Sequence, residues 1–292
     1  MREDLDLPEF GYLSFDHFVV VGAPRSSIHI CESKSMLSPL FAQANWDTTS
    51  PLSKYEQKKF LVEKWIALGK YGRNIPEGVP QDLLSEEDCA ISTLLSTVLW
   101  IRTWFGDPTD KTSQEAADTA YAGLRKEVLQ QGCENNHVFC IPQEFVFEDR
   151  EELTADAQRD QDVIEGIATG SPGSVPDYLL AALMHCPELF EGMSDGDWRH
   201  FEREERAEEL AENDRTQKAL VLVADRKACE EGWVLALAVN DRGEILPVRV
   251  RERATEAAQI AVNWFEGEPL SEIVDDEAED VEFYLGKGYG WE

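Results

Sequence analysis

The sequence predicts an α+β fold, predominantly helical, with a short N-terminal β-hairpin and a C-terminal antiparallel β-meander packed on a helix. Three observations carry that expectation. Two short β-type runs near the start flank a Gly-Ala-Pro-Arg turn. Several central stretches repeat apolar residues at helical spacing. Three strand-like runs then crowd into residues 219–250, followed by one amphipathic helix.

Taken in order, Phe18-Val-Val-Val21 and Ser27-Ile-His-Ile-Cys31 read as the hairpin strands around Gly22-Ala23-Pro24-Arg25. From Ser53 to Lys70, Leu61, Val62, Trp65 and Ile66 recur at helical spacing. Lys54, Lys58, Lys59, Lys64, Lys70 and Arg73 make this segment the one basic island. Gly72–Pro80 reads as a loop. Ser85-Glu-Glu-Asp88 resembles a capping box, and the apolar run Cys89–Phe105 after it predicts a helix at the centre of the core. A further helix is expected from about Ser113 to Gln131, burying Ala117, Ala120, Tyr121, Leu124 and Val128, with Gly132 as its C′ residue.

Val138–Glu148 reads as a short strand interrupted by Pro142, and Asp149–Ala168 as a polar helix. Thr169-Gly-Ser-Pro-Gly-Ser174 has hinge chemistry. Pro176 starts another helix, apolar from Tyr178 to Cys186, and Asp195–Asn213 is a highly charged one. Ala219–Ala224, Trp233–Val239 and Glu244–Val250 are the strands, the last two joined by a tight Asn240–Gly243 turn. Val248 and Val250 alternating with Arg249 and Arg251 predict one buried and one wet face. Glu252–Phe265 follows as a helix, with Ala257, Ile260, Ala261 and Trp264 on one stripe.

Two modules follow: a mainly helical one over 1–168 and an acidic one over 175–292 that ends in an acidic, aromatic tail. They are compatible with packing as one body, because the middle helices are too polar to stand alone. The chain has 292 residues, with 58 Asp+Glu against 27 Lys+Arg, a net charge of −31. Residues 1–140 carry 13 basic and 20 acidic side chains, and residues 141–292 carry 14 and 38. The acidity therefore belongs to the second half. Such a surface repels phosphate backbones and anionic membranes, so neither direct nucleic-acid binding nor membrane binding is expected.

The first ten residues are acidic, which predicts no secretory leader. Cys31, Cys89, Cys133, Cys140, Cys186 and Cys229 form no disulfide framework. A cytoplasmic or nuclear protein with reduced thiols is the expectation.

Three candidate chemistries emerge. Phe18-Val-Val-Val-Gly22-Ala23-Pro24-Arg25-Ser26-Ser27 resembles the phosphosulfate-binding loop of sulfotransferases, in which a strand delivers a turn that holds a phosphate at a helix N-terminus. The resemblance covers about ten residues and implies an anionic nucleotide cofactor at Gly22, Arg25, Ser26 and Ser27. That family continues into a helix, whereas Ser27–Ile30 reads as strand.

Second, Cys133, His137 and Cys140 could supply three zinc ligands, with His185 or Cys186 as a fourth; Cys186 equally reads as a core cysteine. Third, the acidic half carries interspersed aromatics, among them Trp198, Phe201 and Trp291 beside Asp275, Asp276 and Glu277, and this pairing suits a basic protein partner. With no nucleophile-and-base arrangement, the third reading is preferred, a non-enzymatic interaction protein for which no cofactor is expected; the nucleotide-binding enzyme and the zinc-stabilised module are its alternatives. The basic island is opposite in sign to the acidic half and suits pairing with it within one chain or across a homo-oligomer, and spacing alone leaves both open.

Overall fold

Val98-Leu-Trp-Ile-Arg102 is a strand, β1, and not the end of a central helix. All five of its residues are buried, which is why the sequence shows no alternation. A strand covered on both faces and a buried helix give the same continuous apolar run. The computed structural model in which this is seen describes residues 50–69, 98–136, 145–154, 164, 175–186, 189–190 and 217–270. The expected hairpin at 18–31, the hinge at 169–174, the charged helix at 195–213 and the tail beyond 270 lie outside them.

The chain divides into two compact units, one of Met1–Leu95 with Cys186–Asp214, the other of Ser96–His185 with Arg215–Glu292. In the first, α1 spans Lys54–Ala67. Its start is a reciprocal capping box: Ser53 Oγ accepts from Glu56 N at 3.2 Å, and Glu56 accepts from Ser53 N at 2.8 Å. Gln57, Leu61, Val62, Trp65 and Ile66 form its buried stripe. On its outer face Lys64 sits 4.3 Å from the centroid of the exposed Phe60 ring.

The second unit is built on a five-stranded mixed sheet in the order β2-β1-β3-β4-β5. After β1 come α2 (Lys111–Asn136), β2 (Phe145–Glu148), α3 (Glu151–Thr154) and α4 (Asp177–Leu183). Then follow β3 (Ala219–Ala224), α5 (Arg226–Glu231), β4 (Trp233–Val239), β5 (Ile245–Arg253) and α6 (Ala257–Phe265). β1 pairs in parallel with both β2 and β3, with Leu99 opposite Val146 and Val221. β4 runs antiparallel to β3 and to β5. Strands from both sides of the expected hinge thus share one sheet.

Both faces of the sheet are covered. Val98, Trp100, Leu220, Leu222, Val234 and Ala236 pack with Tyr121, Leu124 and Val128 of α2, Ala228 of α5, and Ile260 and Ala261 of α6. The alternate residues, Leu99, Ile101, Val221, Val223, Leu235 and Leu237, are also buried, and α4 lies against β1 and β2. Burial of this extent, at roughly 25 cal/mol per Å² of apolar surface, is the main term holding the unit together.

This double coverage corrects the wet face expected for β5. Arg249 and Arg251 are buried. Arg251 pairs with Asp225 through Nη2–Oδ2 at 2.6 Å and Nη1–Oδ1 at 3.2 Å, and Nη1 also donates to Trp233 O at 3.1 Å. Arg249 donates from Nε to Ile164 O and from Nη1 to Leu246 O. Its burial pulls the guanidinium pKa down to about 10.

Other boundaries move as well. β5 runs on to Arg253, so the last helix begins at Ala257 rather than Glu252. α2 continues through Gly132 to Asn136 instead of ending before it. The short α5 was not expected; Asp225 Oδ1 caps it by accepting from Ala228 N at 2.9 Å, and Gly232 ends it at φ +77°. No described helix is long and apolar enough to cross a membrane.

Candidate functional site

Three parallel strands in the order β2-β1-β3 end side by side. In open sheets with parallel strands, ligand chemistry gathers outside the carboxyl ends, where the strand order reverses. Here β1 is followed in sequence by β2 on one side, and the chain later returns as β3 on the other. The residues at those ends are Arg102, the last of β1, with Thr103 after it, Glu148, the last of β2, with Asp149 and Arg150 after it, and Asp225 after β3. Thr103 N donates to Ala224 O at 3.1 Å, which carries the β1–β3 pairing one step past the strand.

The guanidinium of Arg102 is sandwiched between two rings, 4.3 Å from the Phe105 centroid and 4.6 Å from that of Tyr121. Its Nε donates to Trp104 O at 2.9 Å and its Nη2 to Asp118 at 2.7 Å. Asp118 lies on α2, so the pair ties the end of β1 to the helix after it. The connecting turn is closed by Gly106, at φ +82°. A Cβ there would sit 2.6 Å from Ser113 O, a contact that only glycine avoids.

Beside this pair, Tyr121 OH accepts from Trp100 Nε1 at 3.1 Å and donates to Asp149 Oδ2 at 3.4 Å. Arg125 donates to the same carboxylate at 3.0 Å. Burial, with the Asp149 charge adding to it, pushes the Tyr121 phenol up to about 12. The protonated phenol bridges the indole and the carboxylate.

The third group centres on Glu148, whose side chain is 1% exposed. Its Oε1 accepts from Arg150 Nε at 2.8 Å and from Arg150 N at 3.2 Å, and its Oε2 accepts from Arg150 Nη2. His185, in the turn after α4, places Nε2 3.0 Å from the same Oε2. Burial raises the carboxyl pKa, but the hydrogen bonds from Arg150 and His185 outweigh it and hold the value at about 2. The carboxylate is closed in by donors, whereas the imidazole that shares it is 44% exposed.

The residues singled out from sequence are placed unevenly. Gly22, Arg25, Ser26 and Ser27 lie outside the described residues, as do His137, Cys140, Trp198, Phe201, Asp275, Asp276, Glu277 and Trp291. Cys133 falls within α2. Of the two residues considered as a fourth zinc ligand, His185 faces Glu148, and Cys186 is fully buried. Among the described residues, no three His, Cys, Asp or Glu side chains come together as a metal set.

Arg102, Glu148 and Arg150 were not singled out from sequence. Only a residue's position at a strand's carboxyl end could have marked them, and that requires the sheet order. No family model, curated protein or solved structure matches the chain.

Proposed function

We propose that the chain is a non-enzymatic interaction protein whose acidic C-terminal half docks a basic protein partner. The location of the charge is the observation that carries this reading. Within residues 141–292, the described part holds 8 basic and 14 acidic side chains, and the rest of that half holds 6 and 24. The excess thus falls mainly on stretches such as 191–216 and 271–292, which also carry Trp198, Phe201 and Trp291. The sheet itself is closer to balance.

The pairing at the carboxyl edge supports the same reading over an anionic cofactor there. Arg102, Arg125, Arg150 and Arg251 each face a carboxylate of this unit. An anion arriving at that edge would compete with Asp118, Asp149, Glu148 and Asp225. A cationic protein surface meets long-range attraction instead, which speeds encounter and makes binding sensitive to salt.

The test is a pull-down with the full chain at about 50 mM and about 500 mM salt, a range over which screening shortens from beyond 10 Å to a few ångströms. The chain is compared with a variant carrying Asp275→Asn, Asp276→Asn and Glu277→Gln. The expected outcome is that basic proteins are retained at low salt, released at high salt, and held less well by the variant. Retained proteins that are not basic, or retention indifferent to salt, would overturn the proposal.

A further inference from the structure

The geometry points to His185 as a phosphoryl-accepting imidazole: a surface modification site that takes a phosphoryl group on Nδ1 from a donor with a labile P–N or acyl P–O bond, with Glu148 as its positioning residue. Besides His185, the described donors to Glu148 are two nitrogens of the Arg150 guanidinium and the Arg150 backbone amide. A carboxylate so surrounded is ionised and has no proton to give. The hydrogen bond at 3.0 Å is therefore donated by His185 Nε2–H. That fixes the tautomer of the neutral ring and leaves its lone pair on Nδ1. The ring is 44% exposed, and its bond to Glu148 is its one hydrogen bond among the described residues.

A buried carboxylate on one nitrogen and, among the described residues, no hydrogen-bond partner on the other is how an imidazole is oriented for nucleophilic attack. The step balances without a further reactant. With phosphoramidate as donor, the N–P bond forms at Nδ1 as the donor's own P–N bond breaks. The donor nitrogen leaves as ammonia, carrying the protons it already holds. The ring keeps its proton on Nε2, and the positive charge it acquires lies against Glu148. Asp149, the neighbouring acid, is already paired with Arg125.

The experiment treats the full-length chain with phosphoramidate, maps labelled histidines by mass spectrometry and reads the phosphorus isomer by 31P NMR. The five histidines are His17, His29, His137, His185 and His200, so four serve as internal references. The expected result is labelling of His185 at least about tenfold faster than in the urea-unfolded chain, and on Nδ1 alone. His185→Gln abolishes that signal. Glu148→Gln, which removes the negative charge beside the ring, slows it about 10- to 100-fold, the range seen when an imidazole's outer partner is changed. Labelling of folded His185 no faster than in urea, or on Nε2, overturns the inference. If Glu148→Gln impairs folding, the wild-type rate and isomer still decide.

Discussion

Removing one partner of the Asp225–Arg251 pair should be the most damaging single change in the sheet unit. Both side chains are buried, 4% and 1% exposed, and joined by two hydrogen bonds. Asp225→Asn keeps a cap oxygen for Ala228 N but leaves the guanidinium inside without its counter-charge. Stranding a buried charge costs about 3 kcal/mol or more. Arg251→Met strands the carboxylate instead, at a similar cost of about 3 kcal/mol. Replacing both together leaves neither charge stranded, so that only the hydrogen bonds and packing of the pair are lost.

The double variant should therefore lose about 2–3 kcal/mol rather than the additive sum of about 6, a coupling near 3 kcal/mol. Asp225→Ala should cost about 1 kcal/mol more than Asp225→Asn, because the α5 cap is lost too. Urea unfolding followed by far-UV circular dichroism measures all four. A loss below about 1.5 kcal/mol for Asp225→Asn, or strict additivity in the double variant, would refute the claim that the buried pair acts as a unit.

Other outcomes follow from neighbouring groups. Glu148 has a folded pKa of about 2, below its unfolded value of roughly 4.3. Its contribution is present above about pH 5 and lost as pH falls toward 2. Glu148→Gln should then cost about 2–3 kcal/mol at pH 7 and almost nothing near pH 2, as read from melting temperature against pH. An equal cost at both pH values would contradict the assignment. Gly106→Ala should destabilise by about 2–4 kcal/mol, through positive φ and the contact with Ser113 O; a neutral result in the same urea assay would mean that the turn yields freely. Burial pushes the Cys229 thiol up to about 12. Iodoacetamide at pH 8 should alkylate it at least about tenfold more slowly in the folded chain than in urea, and equal rates would show that the site is open.

The elements that could be read from sequence are those whose signals are local. α1 declared itself through the helical spacing of Leu61, Val62, Trp65 and Ile66, and β3 and β4 through dense β-branched and aliphatic runs. β1 could not be read, because its period is hidden by burial on both faces. Arg249 and Arg251 misled for a related reason: their burial depends on Asp225, distant in sequence, and on the backbone of Ile164. α5 is too short to show a period, although Asp225 and Gly232 carried its cap signals. The carboxyl-edge groups fared worst. Glu148 is one of 58 acids, and nothing local distinguishes it until β2 is placed at the sheet edge beside the turn that follows α4.

The register of β1 against β3 has a consequence for how the unit is made. Leu99 pairs with Val221, more than a hundred residues later, and the intervening chain includes Cys186–Asp214 of the other unit. The antiparallel part, β3 to β5, closes within residues 219–253. Loop-closure entropy favours the local part forming first. As the chain is synthesised, β1, apolar on both faces, must therefore wait without its β3 partner until residues 219–224 have been made. Pulse-labelling hydrogen exchange during refolding should protect β3–β5 amides before those of β1. Assembly, more than the finished structure, is then the stage at which Val98–Ile101 endangers solubility and at which a chaperone would act.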